Sequence, residues 1–178
     1  DALNTTLIAF DKAPWSLDET RSKVRKSTRD SFPGLFGDKW EAAMELFYRR
    51  YAEIHKIKLE ASAGAAEMLE TLHSRDFYMG IVSNKRGDYL RAEVEHLGWD
   101  RFFKRTIGAT DAARDKPAPD PIILALSEAE IEPGKNVWFI GDADIDLNCA
   151  HQAGCYPVLL RETPPGDHEF ADSPPASH

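Results

Sequence analysis

Three short strings hold the residues best suited to chemistry. An apolar run, Phe77-Tyr-Met-Gly-Ile-Val-Ser83, ends in a hydroxyl followed by Asn84 and Lys85. The string Asp115-Lys116-Pro117-Ala118-Pro119 offers a lysine beside two prolines. Gly141-Asp142-Ala143-Asp144-Ile145-Asp146 sets Asp142 and Asp146 four positions apart, close enough to face one way on a turn leading into a helix. Hard carboxylate oxygens suit Mg²⁺, which binds through one or two carboxylates plus substrate phosphate. A lysine neutralises a phosphoryl oxygen, and a serine hydroxyl with nearby backbone N–H groups donates hydrogen bonds to it. The set therefore points to phosphate chemistry, and it lacks a nucleophile.

Such residues act together only if the elements around them bring them to one edge. From about Leu59 the pattern is helix and strand in alternation. Ala65, Ala66, Met68, Leu69 and Leu72 mark a helix, and the run to Ser83 reads as a buried strand. A helix over Tyr89–Leu97 is stopped by Gly98, and Thr106–Ala109 is a short strand. Pro121–Glu130 reads as helix, Asn136–Ile140 as strand, Ile145–Ala153 as a helix stopped by Gly154, and Tyr156–Leu160 as the last strand. Apolar strands alternating with helices predict an α/β fold, a parallel sheet covered on both faces. In such sheets ligands bind at the C-terminal ends of the strands, where Ser83, Asn84, Asp142 and the Lys116 loop all fall.

The segment before this is helical. Leu3, Leu7, Ile8 and Phe10 have helical spacing, Ser16 and Glu19 form a capping box for a helix expected to reach about Thr28, and Asp38 with Glu41 repeats that signal. Trp40, Met44, Phe47, Tyr48 and Tyr51 then form one apolar stripe. Residues 1–57 are expected to be a small helical unit, 58–162 the α/β core, and 163–178, proline-bearing and nearly without apolar residues, a disordered tail. The chain has 178 residues and a mass of 20.0 kDa, enough for one domain with a small insertion. A net charge of −8 and a pI near 5.2 argue against a general nucleic-acid binder. No apolar run reaches the roughly 20 residues that span a bilayer. Two cysteines rule out a disulfide scaffold and suit a reducing cytoplasm.

The three strings, in this order, resemble the haloacid dehalogenase-like hydrolase superfamily, in particular its phosphoglycolate-phosphatase-like members with a helical cap. Ile81-Val-Ser83-Asn84-Lys85 is similar to the second family motif and Lys116-Pro-Ala-Pro119 to the third. Gly141-Asp142-Ala-Asp-Ile-Asp146-Leu-Asn-Cys-Ala150-His-Gln-Ala153-Gly154 is similar to the fourth. The resemblance runs from about residue 59 to 160 and implies a three-layer, Rossmann-like parallel-sheet core with an all-helical cap. It implies Mg²⁺-dependent hydrolysis of a small phosphomonoester through an aspartyl-phosphate. Ser83 and Asn84 would bind the phosphoryl group, with Lys85 beside them. Lys116 would hold nucleophile and phosphate together, Asp142 would ligate the metal, and Asp146 would act through water or orient Lys116.

The family's first motif, D-x-D-x-T, is missing. Asp1-Ala-Leu3-Asn-Thr5 copies only part of its spacing, with Leu3 at the acid/base position and no strand before it. In the family that first strand lies between the strands placed here at 77–83 and 136–140. Without it their inner edges expose unpaired backbone groups, at roughly 1–3 kcal/mol each. The expectation is that the nucleophile lies upstream of Asp1. The partner implied is a small phosphorylated metabolite, bound by a monomer or homodimer.

Each feature also has a plainer reading. Asp142, Asp144 and Asp146 suit any helix N-terminus. Cys149, His151 and Cys155 match no usual zinc spacing and read as structural. Arg21, Lys23, Arg25, Lys26 and Arg29 read as a solvated face or as attraction for an anionic substrate. A dehalogenase would not need the Asp142/Asp146 pair, and a phosphonate hydrolase would need a cap lysine, for which Lys12, Lys23, Lys26 and Lys39 are available. A phosphomutase and a non-catalytic binding protein on the same fold are the remaining alternatives.

Overall fold

The computed structural model describes residues 1–178, which form two compact units. The first comprises Asp1–Met79 and Asp88–Lys104. It contains α1 (Ala2–Ala9), α2 (Leu17–Lys23), α3 (Thr28–Phe36), α4 (Trp40–Ile54), α5 (Ala65–Ser74) and nearly all of α6 (Gly87–His96). The capping box at Ser16 forms, with Glu19 N donating to Ser16 Oγ at 3.1 Å and Ser16 N donating to Glu19 Oε2 at 2.9 Å. The helix it starts ends at Lys23 instead of reaching Thr28. None of its seven residues is buried, so no packing extends it beyond its local signals. A new helix, α3, begins at Thr28 and buries Phe32 and Phe36 against Leu7 and Ala43.

The boundary expected at residue 57 is corrected. The stripe on α4 serves two neighbours: Trp40, Met44 and Phe47 pack on the cluster around Leu7, while Tyr48 and Tyr51 meet α6. The Tyr48 and Tyr89 rings stack at 5.5 Å, and Tyr89 Oη donates to the Tyr48 carbonyl at 3.1 Å. Glu93 Oε1 accepts from Tyr51 Oη at 2.8 Å and lies 3.0 Å from His55 Nδ1. Burial and the nearby Glu93 carboxylate push the Tyr51 phenol above its ordinary range. A further cluster, Leu69, Met79 and Phe102, holds α5 in the same unit. These contacts place α5 and α6 with the helices before residue 57.

The second unit, Gly80–Gly87 and Arg105–His178, carries the sheet. Strands β1 (Gly80–Arg86) and β2 (Arg105–Ala109) pair in parallel, with Val82 opposite Ile107. Strands β3 (Trp138–Gly141) and β4 (Tyr156–Leu159) form a second parallel pair, with Gly141 opposite Leu159. No ladder joins the two pairs. Helix α7 (Asp120–Leu126) packs on β1 and β2, helix α8 (Asp144–Ala153) packs on β3 and β4, and the two helices touch. Gly154, at φ +74°, ends α8 in the left-handed conformation that glycine adopts without strain.

The tail expected to be disordered is instead tied down. Phe170 is buried with Leu147 and Leu159. Ser177 O accepts from Leu159 N at 2.9 Å, and Ala176 N donates to Pro157 O at 2.9 Å, so the last residues lie along β4. Arg161 forks onto Glu169 at 2.7 and 2.6 Å. One aromatic anchor and one bidentate ion pair do what the low apolar content concealed.

The guanidinium hydrogen bonds hold the Glu169 carboxyl down at about 2. Because the folded value lies below the unfolded one, this tether is complete above the ordinary carboxyl range, about 4.3, and is lost as pH falls through about 2. A carbon-detected NMR titration is expected to place the Glu169 midpoint near 2, and Arg161→Gln to return it to about 4.3.

Candidate active site

The site is built at the C-terminal ends of β1 and β3, from a loop between them in sequence and the first turn of α8. Its centre is Lys116, 8% exposed. Lys116 Nζ donates to Asp146 Oδ1 at 2.7 Å and to the Val82 carbonyl of β1 at 3.1 Å. It also lies 5.8 Å from the centroid of the Phe139 ring on β3, within cation–π range. One side chain thus reaches β1, β3 and the start of α8. An ammonium has three protons. Two are engaged by Val82 and Asp146, and the third is available to an anionic oxygen.

Asp146 reaches Lys116 because the local backbone is shaped for it. Its Oδ2 accepts from Ala143 N, the cap position of α8, at 3.2 Å. Gly141 lies against it, where an added Cβ would overlap the Asp146 side chain. The helix dipole favours a carboxylate in this first turn. Both oxygens are thereby engaged within the protein, and Asp146 is 6% exposed. Of the two arrangements expected of Asp146, the one formed here is the contact with the lysine.

The loop carrying Lys116 is pinned from three sides. Asp115, 5% exposed, accepts from Thr110 N at 3.0 Å through Oδ1. Cys149 Sγ donates to Ala118 O at 3.1 Å, and Gln152 Nε2 donates to Pro117 O at 3.0 Å, fixing the loop to α8. Burial pushes the Cys149 thiol up to about 12 against the opposing Lys116 charge, consistent with a structural thiol. The third side is Asn84. Its Oδ1 accepts from Lys116 N at 3.0 Å, and its Nδ2 donates to Lys116 O at 3.1 Å. Both atoms of the Asn84 side-chain amide thus meet the backbone of the loop.

Ser83 is the fourth of the seven residues of β1, not its last as the sequence predicts, and it is half-buried. Its Oγ accepts from Lys85 N at 3.1 Å, which leaves the hydroxyl proton to donate. Asp142 is exposed at the end of β3. It lies close enough to Arg161 to add to the rise in guanidinium pKa caused chiefly by the Glu169 hydrogen bond. No group of three or more His, Cys, Asp or Glu side chains is gathered to hold a metal. Asp142 by itself fits the single carboxylate that Mg²⁺ accepts when phosphate and water complete its shell.

The structure therefore joins Lys116, Asp146, Asn84 and β1, which also carries Ser83, and leaves Asp142 exposed just beyond β3. The sequence reading misses Asp115, the Val82 carbonyl and Phe139. An aspartate next to the lysine is the only sequence signal among them. Removing one member of a buried ion pair strands the other charge. Lys116→Met is expected to destabilise the fold by about 3–5 kcal/mol in urea denaturation at pH 7. Lys116→Met combined with Asp146→Leu is expected to be more stable than Lys116→Met alone.

Comparison with known proteins follows this geometry. The family model for haloacid dehalogenase-like hydrolases matches residues 1–159. The phosphoglycolate phosphatase of Salmonella paratyphi A is 31% identical over 116 residues, which are 65% of this chain and 46% of that protein. Phosphoglycolate phosphatase 1 of Pseudomonas aeruginosa is 26% identical over 163 residues, covering 86% of this chain and 59% of that one. The chain thus spans about half the length of the curated relatives it matches. A haloacid dehalogenase-like hydrolase from Streptococcus pneumoniae shares the fold, with a TM-score of 0.83, 18% identity, and coverage of 99% of this chain and 82% of its own. On the match over residues 1–159, the chain belongs to the haloacid dehalogenase-like hydrolase family.

Proposed function

We propose that the protein is a phosphatase that hydrolyses a small phosphomonoester of the phosphoglycolate class. The observation that carries this reading is the buried Lys116 ammonium, with one uncommitted proton, bound to the Val82 carbonyl next to Ser83 in β1. The relatives named phosphoglycolate phosphatase supply the substrate class.

In this reading a carboxylate attacks phosphorus, the ester P–O bond breaks, and the leaving oxygen takes a proton. Water then attacks the aspartyl-phosphate, releasing inorganic phosphate and restoring the carboxylate. Lys116 places a positive charge and a directed proton on the transferring group, where charge is preorganised before the reaction. Ser83 donates its hydroxyl proton to a phosphoryl oxygen. Asp146 keeps Lys116 aimed. The attacking carboxylate is not among the residues gathered at this site. We place it on a strand between β1 and β3, a placement supported by the absence of any ladder between them. Asp142 would hold Mg²⁺, which when bound offsets phosphate charge.

No helix is long and apolar enough to cross a membrane. The two free, buried cysteines fit a reducing compartment such as the cytoplasm.

The test is hydrolysis of phosphoglycolate and of p-nitrophenyl phosphate by the full-length protein across a Mg²⁺ titration. Ser83→Ala and Lys116→Ala are each expected to lower kcat by about 100-fold or more. Asp142→Asn is expected to raise the Mg²⁺ concentration for half-maximal rate by about tenfold or more. Turnover unchanged by Lys116→Ala sinks the reading. Phosphate binding without any turnover would favour a binding protein on this fold.

A further inference from the structure

The motif position of Asn84 suggests a group that touches phosphate, but the side chain is occupied elsewhere. Its amide oxygen and nitrogen both bind the main chain of one residue, Lys116, 32 positions away in sequence. This is a two-point pairing of a side-chain amide with a peptide unit. It holds the lysine's backbone to the end of β1, as a neighbouring strand would. The same lysine returns to β1 at its other end, where Nζ donates to Val82 O. With main chain and ammonium both tied to one strand, the flexible four-carbon stem has few ways to run, and Nζ falls on Asp146.

We propose that Asn84 is a positioning residue for Lys116: it clamps the lysine's peptide unit so that the ammonium is delivered at the site in one orientation, without touching the substrate. The proposal rests on the phosphatase reading for its kinetic consequence and on geometry alone for the clamp. Only a carboxamide fills this role. An alanine loses both bonds. An aspartate keeps an acceptor for Lys116 N but has no N–H for Lys116 O and sets a negative charge against it. A glutamine is one methylene too long for the spacing.

The experiment is a double-mutant cycle in the full-length protein with p-nitrophenyl phosphate as probe. Asn84→Ala is expected to lower kcat by about 10- to 100-fold, the scale of a small misplacement of a catalytic group, while KM moves less than about threefold. Asn84→Asp is expected to lower kcat in the same way. On a Lys116→Ala background, Asn84→Ala is expected to change kcat by less than about twofold, because its effect has no lysine to act through. An equal loss of kcat on both backgrounds overturns the proposal, as does a raised KM with kcat retained, the mark of a direct substrate contact.

The clamp has its own readout. In Asn84→Ala, amide hydrogen exchange at Lys116 is expected to accelerate by about tenfold or more while that of Ile107, in the β1–β2 ladder, is unchanged. Unaltered exchange at Lys116 overturns the clamp whether or not the protein turns over substrate. If the wild-type protein hydrolyses nothing, the phosphatase reading fails and the exchange result still decides this one.

Discussion

The second unit is organised around one buried charge. Taking the Lys116 ammonium and the Asp146 carboxylate out of water costs several kcal/mol per ion, and their mutual attraction repays that only if the remaining lone pairs and protons also find partners. Each nearby feature supplies such a partner. The Val82 carbonyl takes a second ammonium proton, and Ala143 N takes the second carboxylate oxygen. Gly141 leaves the space in which Asp146 folds back. Asp115, Cys149, Gln152 and Asn84 hold the loop that feeds the lysine inward. A pair this demanding is weak as a source of stability. Its use is to give a flexible lysine a single orientation.

The same contacts bear on the sheet. Two-stranded ladders are marginal by themselves, and here two of them stand without a ladder between. What links them is side-chain and helical: α7 packs on β1 and β2, α8 on β3 and β4, the two helices touch, and Lys116 reaches β1 and β3 at once. On the proposed function, a further parallel strand between β1 and β3 would complete the hydrogen bonding. The C-terminal ends of that strand and of its neighbours would then meet Lys116 and Ser83.

Local signals were legible in the sequence where local physics decides the outcome. The Ser16 capping box, the Gly154 stop and the strand–helix order of the core needed only neighbours a few residues away. Reading failed where distant contacts decide. Helix α3 contains Pro33 and Gly34, which argue against a helix, yet Phe32 and Phe36 hold it through packing on Leu7. β1 was expected three residues too early: Met79 is apolar because it packs on Leu69 and Phe102, and the strand runs on through the polar Asn84–Arg86 instead. Motif spacing singles out Lys116, Ser83 and Asp142, and the structure brings the Lys116 ammonium to the carbonyl next to Ser83 in β1. The partner of Asn84 was not legible, because a peptide group 32 residues away has no signature of its own. The tail's order rested on a single phenylalanine and one ion pair.

Asp142 and Asp146 illustrate how identical side chains four positions apart receive opposite environments. Asp146 sits inside the first turn of α8, where the Ala143 N–H and the lysine compensate its burial. Asp142 precedes that turn and remains exposed. The division has an electrostatic consequence. Asp146 cancels the lysine's charge, so Lys116 offers an incoming anion a directed proton and little net attraction. Asp142 adds a negative charge, and Arg161 is already balanced by Glu169. In a protein of net charge −8, these groups alone would repel a phosphomonoester. On the proposed function, a cation at Asp142 would reverse that sign locally, and a carboxylate oxygen is a hard donor of the kind Mg²⁺ prefers. On that reading, the paired lysine would supply direction and the exposed carboxylate, through its cation, the charge.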